Sequence, residues 1–163
     1  MPTGPDEKIA QAYDAYAPAL MLYARQWIDS SAAEDVIQKV FMKLIAGGRL
    51  PANFRTWLYR CVRNEAISAG RSDRRRSQRE YSKATEPLFR PSPDAAMDAI
   101  DVQQALSSLP PEIREVVTLR IWSGLTLAEI SAVTGSPIST IHDQYKAALA
   151  AMKQKLEAPC RNP

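Results

Sequence analysis

Histidine and cysteine are nearly missing from this chain, which has one histidine (His142) and two cysteines (Cys61 and Cys160) in 163 residues. That scarcity excludes the locally spaced Cys/His sets that hold zinc and the Cys/His dyads of nucleophilic catalysis. A disulfide framework is not expected, since Cys61 lies inside an apolar helical pattern and Cys160 in a proline-flanked tail. Glycine is sparse as well. The adjacent pair Gly47-Gly48 lacks the preceding strand and following lysine of a phosphate-binding loop. No run approaches the roughly 18 consecutive apolar residues of a membrane span, and the amino terminus MPTGPDEKIA has no basic-then-apolar signal pattern. The expectation is a cytoplasmic protein that is not an enzyme, with no metal, no cofactor and no membrane insertion.

What is present is the composition of a folded chain, 45% hydrophobic and 24% charged. The net charge of +3 hides an asymmetry: residues 1–83 carry 14 Lys+Arg against 9 Asp+Glu, whereas residues 84–163 carry 7 against 9. Between Arg55 and Arg79 stand eight arginines (55, 60, 63, 71, 74, 75, 76 and 79) and two acids, Glu65 and Asp73. Such a concentration is a candidate polyanion surface, although charge runs are commonly just solvated faces.

Apolar periodicity is helical nearly throughout, with no convincing alternating strand. A first helix is expected from about Pro5 to Ile28, with Ile9, Tyr13, Tyr16, Leu20, Tyr23 and Trp27 at three- and four-residue spacing and Pro18 as a kink. Ser31 to Glu34 has the form of a capping box, opening a second helix that buries Val36, Ile37, Val40, Phe41 and Leu44 and stops at Gly47 and Gly48. Asn53 can cap a third, whose apolar positions are Phe54, Trp57, Leu58, Cys61, Val62 and Ile67; Trp57 and Cys61 read as core. The opposite face then displays Arg55, Tyr59, Arg60, Arg63 and Asn64.

Residues 81–94 contain three prolines and no sustained period, which is linker composition and favours two domains. Beyond it, Asp94 can cap a fourth helix running to about Ser108. Pro110-Pro111 can open a fifth that ends near Ser123-Gly124, and Thr126 to Glu129 is a second capping box for a short helix ending at Gly135. A last helix from Ser139 is expected to bury Ile141, Tyr145, Leu149, Met152 and Leu156. Short helix, glycine turn and second helix form a helix-turn-helix signature.

The carboxy-terminal stretch LSSLPPEIREVVTLRIWSGLTLAEISAVTGSPISTIHDQYKAALAAMKQKL resembles region four of the extracytoplasmic-function sigma factors of bacterial RNA polymerase. AAEDVIQKVFMKLIAGGRLPANFRTWLYRCVRNEAISAGRSDRRR resembles their region two. The resemblance implies an all-α protein of two small helical domains: region two at 1–80, a flexible linker at 81–94, and a region-four helix-turn-helix at 95–158. It implies promoter DNA, the RNA polymerase core and an anti-sigma factor as partners. Glu34, Asp35, Gln38, Lys39 and Met42 would meet the polymerase clamp. Arg49, Asn53, Arg55, Tyr59, Arg60, Arg63, Asn64, Arg71 and Arg74 would meet the melted minus-ten element, with Tyr59 stacking on bases. Thr126, Ser139, Thr140, His142, Asp143, Gln144 and Lys146 would read the minus-thirty-five duplex.

Three features depart from the family's usual pattern. Ala32 and Lys39 stand where acids are usual, the loop between the second and third helices is short, and His142, Asp143 and Gln144 replace Lys, Ser and Arg. His142 alone is more simply an exposed surface residue than a proton switch. The alternative functions are a sigma-like interaction module or a helix-turn-helix regulator, either titrating a partner without initiating transcription.

Overall fold

The computed structural model describes residues 4–77 and 96–157, which form seven α-helices and no strand. They are α1 (Pro5–Ala24), α2 (Ser30–Gly47), α3 (Phe54–Ser77), α4 (Ala96–Ser107), α5 (Pro111–Ile121), α6 (Leu127–Thr134) and α7 (Ile138–Glu157). The chain divides into two compact units, α1 to α3 in the first and α4, α5, α7 and most of α6 in the second. The expected linker at 81–94, the Asp94 cap, Arg79 and Cys160 lie outside the described residues. No helix among those described is long and apolar enough to cross a membrane.

In the first unit, α1 packs on α2 and α3, and α2 packs on α3. The apolar stripe of α2 is the expected one, with Val36, Ile37, Val40, Phe41 and Leu44 all buried. Its start is not. The cap is Asp29, whose Oδ1 accepts from the Ala32 N–H at 2.9 Å, and not Ser31. This follows from the end of α1, which comes at Ala24 instead of Ile28. Gln26 and Trp27 donate back to the carbonyls of Tyr23 and Ala24, turning the chain so that Ile28 enters the core and Asp29 is delivered to the next helix. At the other end Gly48 takes a left-handed φ of 70° and closes α2, a conformation that costs glycine little.

The third helix is turned about its axis relative to the sequence reading. Its buried line is Leu58, Tyr59, Val62, Ala66 and Gly70, while Trp57, Cys61 and Ile67 are only half-buried. Two contacts set this rotation. The Tyr59 ring lies 5.6 Å from that of Tyr23, and a Cβ on Gly70 would come within 2.9 Å of the Trp27 carbonyl oxygen. Only the edge of α3 that carries Ala66 and no side chain at position 70 fits against the turn after α1.

In the second unit α4 and α5 pack on α7 around Ala105, Leu106, Leu109, Val117, Ala148 and Met152. Arg114 ties α5 to the end of α4, donating to the carbonyls of Leu106, Ser107 and Leu109 at 3.0 to 3.1 Å. Leu106 and Ser107 are the last two residues of α4, whose carbonyls a helix carboxy terminus leaves without intrahelical partners. The α7 core is narrower than expected: Ile141, Ala148 and Met152 are buried, Tyr145 half so, and Leu149 and Leu156 are exposed. Close approach at Ala148 centres the contact on one edge of a wide apolar arc and leaves both leucines beyond it.

Candidate nucleic-acid interface

Two different exposed stripes lie on neighbouring helices of the first unit. The α2 stripe consists of Glu34, Asp35, Gln38, Lys39 and Met42, all exposed, Met42 at 63%. Glu34, Gln38 and Met42 recur at four-residue spacing, as do Asp35 and Lys39, so they share one side of the helix. The five residues expected at the polymerase clamp are therefore brought together.

One of them is already engaged. Lys39 Nζ lies 2.7 Å from Glu65 Oε2 on α3, and Lys43 Nζ lies 2.7 Å from Glu65 Oε1. The two ammonium hydrogen bonds, Lys39 first, hold the Glu65 carboxyl below its ordinary range. Lys43 is pushed up in return by its hydrogen bond to Glu65. Sequence reasoning leaves Glu65 out of the site, although it is one of only two acids in the arginine-rich segment and faces two lysines one helical turn apart. Nearby, burial pushes the Cys61 thiol up, against the opposing pull of Lys43, which disfavours the reactive thiolate.

The α3 stripe is cationic. Arg60, Asn64, Arg71 and Arg74 are exposed, as are Arg75 and Arg76 in the last turns. Arg49 and Asn53 are exposed in the connection before the helix. Arg55 and Arg63 are half-buried at the margins. Tyr59 is the clear correction: expected on the open face, it is fully buried against Tyr23 and offers no platform for a base. Tyrosine next to arginine looked like a stacking surface in the sequence; the rotation of α3 puts it in the core.

In the second unit, α6, the Gly135 turn and α7 form the helix-turn-helix. Thr126 and Glu129 make a complete capping box: Thr126 Oγ1 accepts from the Glu129 N–H at 3.1 Å, and the Thr126 N–H donates to Glu129 Oε2 at 2.7 Å. Gly135 closes α6 with a φ of 78°. At the start of α7, Ser139, Thr140, His142, Asp143 and Lys146 are exposed. Gln144, expected to be exposed with them, is half-buried because it borders the Ile141–Ala148 core line. His142 Nδ1 lies 3.7 Å from Asp143 Oδ1, an ion pair only when the imidazole is protonated.

Comparison with known proteins bears on both units. Residues 12–76 match the family model for sigma-70 region 2, and residues 99–152 match that for sigma-70 region 4. The chain is 30% identical over 145 residues to the RNA polymerase sigma-H factor of Pseudomonas aeruginosa, covering 79% of this chain and 75% of that one. It is 29% identical over 155 residues to the ECF RNA polymerase sigma factor SigL of Mycobacterium tuberculosis, covering 89% and 86%. Among solved structures it is similar to the sigma factor RpoE crystallised with the anti-sigma factor NepR from Bartonella quintana. The TM-score there is 0.75 at 25% identity, covering 93% of this chain and 98% of that one.

Proposed function

The chain belongs to the extracytoplasmic-function sigma factors of the sigma-70 family, and on that premise we propose how its surfaces divide the work of starting transcription. It is an RNA polymerase sigma factor, a subunit without catalytic activity of its own, carrying regions two and four and a DNA-binding helix-turn-helix. In this reading it acts in the cytoplasm, residues 1–80 and 95–158 are its two domains, and its partners are core polymerase, promoter DNA and an anti-sigma factor.

The polymerase clamp is met by Glu34, Asp35, Gln38 and Met42. Arg60, Asn64, Arg71 and Arg74, with Arg49 and Asn53, track the backbone of the melted minus-ten strand. Arginine suits this task because neutralising phosphates releases condensed counterions, while the amide of Asn64 has both donor and acceptor for a base edge. Ser139, Thr140, His142, Asp143 and Lys146 meet the minus-thirty-five duplex, with Thr126 at the amino terminus of α6 beside them. The observation that carries the reading is the pairing of separate stripes on adjacent helices, acidic and polar on α2, cationic on α3. One protein surface and one nucleic-acid surface can thus be engaged together.

The test is transcription in vitro with core polymerase and a randomised promoter library. The expected result is initiation from a defined subset of promoters, lost in a Glu34→Lys, Asp35→Lys variant that still folds. Core binding without initiation from any promoter would instead identify a titrating module.

A further inference from the structure

The arginine line of α3 and the acidic stripe of α2 lie on adjacent helices, and α2 carries Lys39 and Lys43 on the side next to α3. The two lysine side chains are 60% and 56% exposed, whereas that of Glu65 between them is 22% exposed. Two water-facing lysines a helical turn apart, beside a row of arginines, would ordinarily enlarge the cationic surface. Here each is engaged by a different oxygen of one carboxylate. Lys39 Nζ donates to Glu65 Oε2 and Lys43 Nζ to Glu65 Oε1, both at 2.7 Å.

The seam between the two helices is a cleft of about 290 Å³, with Asp35 and Lys39 on its α2 side and Glu65, Ser68 and Ser72 on its α3 side. At roughly 100° per residue, Arg60, Asn64, Arg71 and Arg75 fall along one line of α3. Ser68 and Ser72 come next around the helix, and Glu65 stands at the edge that meets α2. From α3 to α2 the surface therefore runs cationic, neutral, anionic, cationic. We infer that Glu65 is a positioning residue that sets the border of the nucleic-acid surface: by holding Lys39 and Lys43 it keeps a DNA strand on α3 and off α2. A phosphate that took a hydrogen from either ammonium would stand about two hydrogen-bond lengths, roughly 5–6 Å, from the Glu65 carboxylate. Like charges at that separation repel, and Asp35 in the same cleft adds to the effect. Released, the two lysines would be flexible point charges that attract the backbone of any strand without reading a base. Glu65 thus gives up nonspecific affinity and leaves contact with the strand to Asn64 and the arginines.

This inference rests on the proposed contact of α3 with the melted strand, and the experiment separates the two. Binding of the full chain to a random-sequence single-stranded oligonucleotide is titrated with salt. Glu65→Gln is expected to steepen the slope of log K against log salt by about 0.7 for each lysine that gains a phosphate, up to about 1.4. Adding Lys39→Gln and Lys43→Gln to Glu65→Gln is expected to remove that increase. Glu65→Ser, matching Ser68 and Ser72 beside it, is a second neutral variant, and thermal melting shows that each protein is folded. A parental slope in both Glu65→Gln and Glu65→Ser, whatever their melting temperatures, would make the ion pairs a plain staple between α2 and α3 and overturn the inference. A triple variant as steep as Glu65→Gln would overturn it as well, since the gain would not come from the lysines. The inference fails alone if Arg60→Ala and Arg71→Ala still flatten the slope; if they do not, the reading of α3 as the nucleic-acid surface fails with it.

Discussion

At the scale of single residues, two positions carry consequences that their side-chain types do not announce. Gly70 sits mid-helix, where glycine costs about 1 kcal/mol relative to alanine, so on propensity alone Gly70→Ala would stabilise. The Trp27 carbonyl oxygen, 2.9 Å from where an alanine Cβ would stand, reverses the sign: overpacking costs about 1–3 kcal/mol, and the obstructing atom is backbone. Urea unfolding should show Gly70→Ala neutral to destabilised and Gly70→Val clearly destabilised. Lys39 is the second. As a cation where the family usually has an acid, it reads as a repulsion against the clamp, yet its charge is spent on Glu65. Lys39→Glu would set two carboxylates side by side, so it should destabilise the first unit and offset its own gain in core affinity. Ala32→Asp should tighten core binding without that penalty, since Ala32 is the third residue of α2, where a carboxylate favours the helix dipole. The Glu65 carboxyl is depressed in the folded state, so its stabilisation is present above its unfolded pKa and is lost as pH falls through the lower folded value. Acid titration of stability should therefore be shallower in Glu65→Gln than in the parent over that window below the ordinary carboxylate range.

At the scale of elements, α3 is where sequence and structure part most. Its basic composition was legible, and Arg60, Asn64, Arg71 and Arg74 do share an open side. What periodicity did not give was the rotation, because aromatic and aliphatic residues fill more than half the circumference of this helix, and several apolar arcs are equally good on paper. Salt titration of DNA binding separates the two classes of residue. Arg60→Ala and Arg71→Ala should each reduce the slope of log K against log salt by about 0.7 for a single-strand phosphate contact, with melting temperature unchanged. Tyr59→Ala should behave in the opposite manner, costing about 3–5 kcal/mol of stability as a large buried ring. Tyr59→Phe should leave DNA binding near the parental value. A Tyr59→Phe variant that folds normally and binds single-stranded DNA far more weakly would return this residue to the interface. The helix-turn-helix shows the reverse case. Its capping box, glycine turn and start of α7 were readable to within a residue, since local hydrogen bonding from Thr126, Glu129 and Gly135 determines them.

For the whole molecule, the asymmetry of charge, 14 cations to 9 acids before residue 84 and 7 to 9 after it, assigns the stronger nonspecific attraction for nucleic acid to the first unit. Fragments spanning 1–80 and 95–158 should each be helical and melt cooperatively, and the first should retain most of the salt-dependent DNA binding. A fragment that stays unfolded by circular dichroism would show that its core needs the rest of the chain. By itself the sequence determined the helical class, the number and order of the helices, the capping of α6, the buried stripe of α2 and, through the two regional resemblances, the family. These are written in spacing, caps and motif order, which are local or nearly so. The tertiary structure alone decided which side of α3 and α7 faces inward, that Tyr59 and not Trp57 fills the core, and that Glu65 binds Lys39 and Lys43. Each of those depends on how closely two helices approach, and that distance is set by residues such as Gly70 and Ala148 acting on partners far away in the chain.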